Sequence, residues 1–418
     1  MTIMLRGGRL IDPLSGADEV ADLMIEQGRI ARIGPGDVPM EAEVFDARGL
    51  LVCPGLIDMH VHFRQPGYER KETIATGSRA AAMGGFTRVV CEPNTRPPID
   101  DEKDLALARE IAARDAVVHT HFKCCITKAQ RGKRLVNVEK VKQAGAAALS
   151  DDGEPVEDAR VMQRVLESAR AHDILVTPHC EESARSGTSG AGAAQYEREA
   201  GLAWRDLMLA ERTGARLHIS HLSMREAALF LATSKEKGAK VSGEVTPHHL
   251  VLSADMVPDE DANWKTNPPL RTRQDVEALQ KALSDGVIQV IATDHAPHAP
   301  DEKAMGWEKA PFGLIGLETA LGVILTYLVH RGKLGLDEAI AAMTCNPARI
   351  LGLQAGALRV GAAADISIVD AQKEWVVDPG RFQSKGRNCP FAGWRLKGKA
   401  VGTIVGGKWV MREGELVA

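Results

Sequence analysis

Between Leu56 and Leu351 the chain alternates short apolar runs with helical patterns, and the alternation repeats eight times. The strand candidates are LIDMHVH, TRVVCEPN, AVVHTHFKCCIT, AAALSDD, ILVTPHC, RLHISHLS, KVSGEVTPHH and VIQVIATDH. Between them lie the helical patterns ETIATGSRAAAMGG, EKDLALAREIAARD, VEKVKQAG, EDARVMQRVLESARAHD, AWRDLMLAERTG, MREAALFLATSKEKG and DVEALQKALSDG. Two more, GLIGLETALGVILTYLVHRGK and LDEAIAAMTCNPARILG, follow the last strand. Many finish on Gly or a charged pair, as helix C-termini do. Eight β-α units predict an α/β fold, a closed (β/α)8 TIM-type barrel over residues 55–354. Residues 1–54 and 355–418 read differently, as short period-2 runs separated by Gly and Pro. Neither flank alone can bury much core, so the two are expected to pair into one small β-domain beside the barrel. The Gly/Ser/Ala-rich stretch SARSGTSGAGAAQ after His179 reads as a mobile surface loop.

Ligand-type residues recur where these apolar runs give way to polar loops. His60 and His62 end the first run, and the H-x-H spacing aims both imidazoles into one space from a strand. Asp151 and Asp152 end the fourth run, His179 the fifth, His221 the sixth and Asp294 the eighth. Neutral imidazole is the commonest metal ligand, and strand C-termini are where barrels of this kind carry their chemistry. Asp151 and Asp152 cannot both be central, and SDDG is also a good turn, so the residues alone leave that choice open.

Composition narrows the function classes. With 44% hydrophobic and 26% charged residues in 418, the chain reads as an ordinary globular protein with ample core. A net charge of −4 and 4% aromatics give no reason to expect nucleic acid or an anionic membrane as a partner. The N-terminal run MTIMLRGGRLIDPLSG has no long apolar segment and no apolar run approaches spanning length, so the cytoplasm is the default location. The seven cysteines form no C-x-x-C pair and read as reduced, buried thiols.

The stretches DMHVHFRQPGYERKETIATGSRAAAMGGFT, EPNTRPP, LSDDG, PHCEE, HISHLS, EVTPHHL, KTNPPLR, ATDHAPH and APFGLIGLET resemble the amidohydrolase superfamily and, within it, class I bacterial dihydroorotases. That resemblance covers nearly the whole chain. It implies a metal-centred barrel with a β-sandwich made from both termini, and the interconversion of N-carbamoyl-L-aspartate and L-dihydroorotate in pyrimidine synthesis. It also implies that His60, His62 and Asp294 hold one zinc, that His179 and His221 hold a second, and that Asp152 bridges the two. Arg64, Asn94, Asn267 and His298, with the Phe312–Gly313 backbone, match substrate-binding positions, and Asp294 matches the proton-transferring group. One or two zinc ions, a homo-oligomer and association with aspartate carbamoyltransferase are further expectations from the same source. The chain departs from the family pattern in a shorter loop after His179 and in Gln65, where Glu is common.

Other candidates read as structural or supporting. His119 and His121 form a second H-x-H, but near the start of their strand, toward the barrel's stability face. His248 and His249 are read as support for the site, His295 as alternating outward, and Cys180 as a packing residue. Three functions compete: a zinc dihydroorotase, a sibling cyclic amidase acting on hydantoins, dihydropyrimidines or allantoin, and a dead scaffold for the transferase. Retention of all six ligand-type residues argues against the scaffold.

Overall fold

Glycine and proline punctuate the first flank so often that only strands fit between them, and strands need a partner sheet. In the computed structural model, which describes residues 2–181, 193–259 and 261–417 with side chains of the helix Ala193–Thr213 from Arg198 onward, the partner is the other end of the chain. The N-terminal strands are β1 (Thr2–Asp12), β2 (Ala17–Glu26), β3 (Arg29–Ile33), β4 (Glu43–Asp46) and β5 (Leu51–Pro54). Six barrel strands follow: β6 (Leu56–Val61), β7 (Phe86–Cys91), β8 (His119–Phe122), β9 (Leu217–Ile219), β10 (Val241–Val245) and β11 (Val290–Ile291). The C-terminal strands are β12 (Ile366–Val376), β13 (Arg395–Val405), β14 (Lys408–Arg412) and β15 (Glu415–Leu416). The terminal strands form one nine-stranded sheet, in which β5 joins the two ends by pairing parallel with β1 and antiparallel with β12. Ile3, Leu23, Ile25, Val52, Ile366 and Ile404 from both termini share its apolar core.

The barrel closes through short contacts. β6, β7 and β8 pair in parallel, as do β9, β10 and β11. Single parallel bridges, Cys124–Leu149, Leu149–Val176 and Val176–Leu217, carry the ring from the third strand to the sixth. The ring is completed where Val61 pairs with His295 and His62 N donates to His295 O at 2.8 Å. The fourth and fifth strands read from the sequence are thus reduced to one bridging residue each. The S-D-D turn ends the fourth, and Pro178, lacking an N–H, ends the fifth. Met59, Val90, Ala148, Leu175, Val290 and Ala292 cluster as the apolar filling beneath the site, with Ile350 and Leu351 packed against them.

Three helices differ from the sequence reading. The fifth begins at Ala193, ten residues before the expected AWRDLM pattern, so it takes in the end of the stretch expected to be mobile; residues 183–192 of that stretch lie outside the described residues. The run from Gly313 is helical only from Ala320, because Leu314 pairs with His295 instead. LDEAIAAMTCNPARILG breaks into Leu336–Ala342 and Cys345–Leu351, since Pro347 is tolerated in a first turn but not inside a continuous helix. Among the described residues, no helix is long and apolar enough to cross a membrane.

Candidate active site

Every strand of the ring ends on residues that turn toward one place, and the backbone is bent to achieve it. Arg64, His221 and Asp294 have φ of 61°, 34° and 50°, in the left-handed region that side chains with a Cβ rarely adopt. Such conformations cost about 1–3 kcal/mol each and persist where surrounding structure enforces them. Here the enforcement comes from the barrel: Thr293 N is held by Asp58 at 3.2 Å, and His221 N lies 3.3 Å from Glu244 Oε1.

Asp152 is the hub. Its Oδ1 lies 3.2 Å from His221 Nε2 and 3.4 Å from both His179 Nδ1 and His60 Nε2, and its Oδ2 lies 3.4 Å from His62 Nε2. Asp294 Oδ1 lies 3.0 Å from His62 Nε2 and 3.6 Å from His60 Nε2. All six side chains are buried. Burial pushes the Asp152 carboxyl up, but His60, His179 and His221 outweigh it and hold it well below the usual carboxylate range. Asp294 is lowered in the same way, burial being outweighed by His62 and His60. Within this cluster two sets of ligand atoms come close enough for a cation, His60 with His62 and Asp294, and His60 with Asp152 and His221. The first is the set expected for one metal. The second differs from expectation in including His60, with His179 standing just outside it.

The remote ring nitrogens decide which atom each imidazole presents. His60 Nδ1 is bound by Glu244 Oε1 at 2.6 Å, and His62 Nδ1 by Asn94 Oδ1 at 3.0 Å. His179 Nε2 is met by Asn267 Nδ2 at 3.2 Å. With those positions occupied, His60 Nε2, His62 Nε2 and His179 Nδ1 face the cluster, the arrangement in which outer partners orient metal ligands. His60 Nε2 is fully buried and, among the described residues, has no hydrogen-bond partner, only the Asp152 and Asp294 carboxylate oxygens at 3.4 and 3.6 Å. A buried, basic, unpartnered nitrogen between two carboxylates fits a bound divalent cation, and the N/O donor set is one that zinc accepts.

The structure separates the two aspartates. Asp151 turns away from the imidazoles and accepts from Ile126 N at 2.8 Å, Thr127 N at 3.2 Å and the Thr127 hydroxyl. Burial pushes its carboxyl up to about 7 against those donors. We therefore expect Asp152→Asn to cut bound metal and activity while leaving the metal-free melting temperature near wild type. Asp151→Asn should instead lower the melting temperature by loosening the 126–127 loop, at a cost of about 1–3 kcal/mol, and keep its metal. Metal analysis beside thermal unfolding checks the ranking, and the reverse order would exchange the two roles.

Above the cluster lies a cavity of about 200 Å³. That is below the roughly 300–1,000 Å³ usual for drug-sized ligands and suits a small metabolite. Arg64, Asn94, Asn267, His298, Phe312 and Gly313, the six positions expected to meet substrate, all line it, as do His62, Asp152, His179 and Asp294. Arg64 Nε donates to Pro297 O at 3.3 Å. His298 donates from Nε2 to Phe312 O at 2.7 Å and accepts at Nδ1 from Lys71 Nζ at 3.3 Å, so the ring is neutral. Burial lowers its pKa to about 3. Gly313 has φ +129°, and a Cβ there would come within 2.8 Å of Ala296, so only glycine lets this wall approach. Lys303 fixes the same wall by donating to Pro311 O at 2.9 Å and Gly313 O at 3.0 Å.

The remaining histidines lie elsewhere or beneath. His119 pairs with Asp365 at 3.1 Å and His121 contacts Arg88 at 2.6 Å, on the side of the terminal sheet. His295 faces outward, 3.4 Å from Glu72 Oε2, with Nδ1 accepting from Gly316 N at 3.2 Å. His249 donates to Pro268 O at 3.2 Å and so braces the Asn267 loop. Cys180 is buried, with its thiol 3.8 Å from Asp206. Sequence reasoning missed Glu244 and Glu92, which approach His60, and His218 and Lys123, which pair with those two carboxylates. A charge inside an apolar strand run (KVSGEVT, RVVCEPN, HFKCCIT) was the available signal.

A closed barrel that gathers four imidazoles and two carboxylates at the C-terminal end of its strands, under a small cavity, is the architecture of the amidohydrolases. The Amidohydrolase family model matches residues 51–410, and the chain belongs to that family. Among curated proteins it is 44% identical to the dihydroorotase of Thermoanaerobacter sp. (strain X514), over 98% of this chain and 97% of that one. It is also 44% identical to the dihydroorotase of Syntrophotalea carbinolica, over 99% of each. Among solved structures it superposes with a TM-score of 0.89 and 26% identity on dihydropyrimidinase from Brevibacillus agri NCHU1002, covering 100% of this chain and 96% of the other. L-hydantoinase from Arthrobacter aurescens gives the same TM-score and identity, covering 100% and 97%.

Proposed function

We propose that this chain is a zinc-dependent dihydroorotase, interconverting L-dihydroorotate plus water and N-carbamoyl-L-aspartate. The observation that carries the reading is one carboxylate, Asp152, touched by four imidazoles at the floor of a cavity whose wall holds a half-buried arginine. Relatives named dihydroorotase along nearly the full chain support it. His60, His62 and Asp294 would hold one zinc and His179 and His221 a second, with Asp152 between them. Zinc held there supplies Lewis acidity, which polarises an amide carbonyl and makes water acidic enough to ionise near pH 7.

The chain's own groups do the rest. Arg64 presents its guanidinium to the substrate carboxylate, for which a planar fork is the best match. Asn94 and Asn267 line the cavity while steadying His62 and His179, so the amides that orient the ligands also border the substrate. In hydrolysis the water oxygen bonds to the ring carbonyl carbon and the carbon–nitrogen bond breaks. Asp294 accepts the proton that the water loses and returns it to the departing ring nitrogen. In synthesis the carbamoyl nitrogen attacks the carboxylate carbon and water leaves, through the same proton relay.

A sibling cyclic amidase is the second reading, favoured by the barrels on which this one superposes, which are named for dihydropyrimidines and hydantoins. An ultraviolet assay with dihydroorotate, dihydrouracil and hydantoin, run beside metal analysis, decides between them. Purified protein should contain one to two zinc equivalents and hydrolyse dihydroorotate in preference to the neutral rings. Chelator treatment should abolish turnover and zinc should restore it, whereas full activity in metal-free protein would sink the metal assignment. A homo-oligomer and association with aspartate carbamoyltransferase belong to the same reading; sizing the protein alone and mixed with the transferase tests both.

A further inference from the structure

The wall of the cavity is held from outside the barrel. Between β12 and β13 the chain runs from the terminal sheet to the back of the loops that carry His298 and Gly313. There Asn388, 1% exposed, spends its whole amide on those loops. Its Oδ1 accepts from His298 N at 3.2 Å, and its Nδ2 donates to Ala296 O at 3.1 Å and Gly313 O at 2.9 Å. One N–H and two carbonyls as partners settle which end of the amide is oxygen. The Asn388 carbonyl accepts from Ile315 N at 2.9 Å. One residue therefore cross-links the two wall segments just beyond the bond from Ala296 N to Leu314 O, 2.8 Å long.

Two further contacts seat this strap. The Ser384 hydroxyl donates to Oε2 of the buried Glu72 at 2.5 Å, and Lys385 N donates to Glu72 Oε1 at 3.2 Å. Gly386 passes so close to the wall that a Cβ there would come within 2.8 Å of Pro297 Cβ, Ile315 Cγ2 and Asn388 Oδ1. Only glycine allows that approach. The side chain at 388 is as narrowly defined: aspartate has no donor and serine only one, whereas the amide supplies two donors and an acceptor.

What Asn388 holds is the face that meets substrate in the reading above. His298 donates from Nε2 to Phe312 O at 2.7 Å, and His298, Phe312 and Gly313 all line the cavity. The three bonds of the Asn388 side chain go to backbone atoms of that wall and none to a metal ligand. We propose that Asn388 is a positioning residue for substrate binding, which sets His298 against the Phe312–Gly313 wall from a segment outside the barrel. The proposal rests on the dihydroorotase reading for its substrate and deepens it by naming what fixes the recognition surface.

The test is a double-mutant cycle on the full-length, zinc-loaded enzyme: wild type, Asn388→Ala, His298→Ala and the double variant, each with kcat, KM, zinc content and melting temperature. Asn388→Ala should raise KM for dihydroorotate about tenfold, the worth of one or two displaced hydrogen bonds, with a smaller change in kcat and normal zinc. In the His298→Ala background the same substitution should raise KM far less, because the side chain it acts through is gone. An amide that serves stability alone would lower the melting temperature in both backgrounds and leave KM where it was. Unchanged KM in Asn388→Ala, or an equal rise with and without His298, overturns the proposal. Gly386→Ala keeps the amide and pushes the strap off the wall, so KM should rise there too. Should Asn388→Ala fail to fold, wild-type KM in Gly386→Ala overturns the proposal equally. A wild type that turns over only a neutral ring overturns the dihydroorotase reading instead, and the cycle is then measured with that ring.

Discussion

Replacing Asp294 with asparagine should lower kcat for dihydroorotate hydrolysis by about 10²–10⁴-fold, the usual contribution of a positioned acid–base group. The geometry supplies the reason. Asp294 lines the cavity and stands 3.0 Å from His62 Nε2, so it borders both substrate and ligands. Its carboxyl is held below the usual range by the facing imidazoles, and it is therefore ionised and ready to accept a proton at neutral pH. Asparagine keeps the shape and one ligand-type oxygen but cannot take a proton. Most of the loss should consequently fall in kcat, with bound zinc reduced far less. The check is kcat, KM and zinc content measured on one preparation of the variant. A variant that keeps its zinc and turns over within tenfold of wild type would show that another group moves the proton.

The barrel was legible because strand ends recur with a fixed structural meaning. A ligand-type residue closing an apolar run can be read without knowing which strand pairs with which, and His60, His62, Asp152, His179, His221 and Asp294 do converge. What stayed hidden depends on pairing across the ring. His60 finds Glu244 across 184 residues, and nothing local to either announces the other. Glu92 and Lys123 meet only because the second and third strands lie side by side. The choice between Asp151 and Asp152 likewise turns on which carboxylate the 126–127 backbone captures. The fourth and fifth strands shrank to single bridges because the turns that make them useful to the site also stop their ladders. Asn94 and Asn267, expected at the substrate, contact His62 and His179, which residue type alone does not reveal.

Arg64→Met should separate substrates while leaving the metal centre alone. The substrate carboxylate is what distinguishes dihydroorotate from dihydrouracil, and Arg64 is the cavity arginine placed to read it. Among the described residues its hydrogen bond is to Pro297 O at 3.3 Å, and it reaches no ligand-type residue of the cluster by a hydrogen bond, so zinc content should be unchanged. A hydrogen bond to a charged group is worth about 1.5–3 kcal/mol, or roughly ten- to a hundredfold in binding. Loss of the guanidinium from a partly desolvated wall raises that figure, because the bound anion is then left without a partner. kcat/KM for dihydroorotate should therefore fall by about a hundredfold or more. Any activity toward dihydrouracil should change little, since no anion is read there. Arg64→Lys should recover part of the loss, because an ammonium keeps the charge but cannot offer two parallel donors. Should the wild type prefer dihydrouracil or hydantoin, or should Arg64→Met hydrolyse dihydroorotate normally, the cavity belongs to a sibling amidase and its arginine serves the wall.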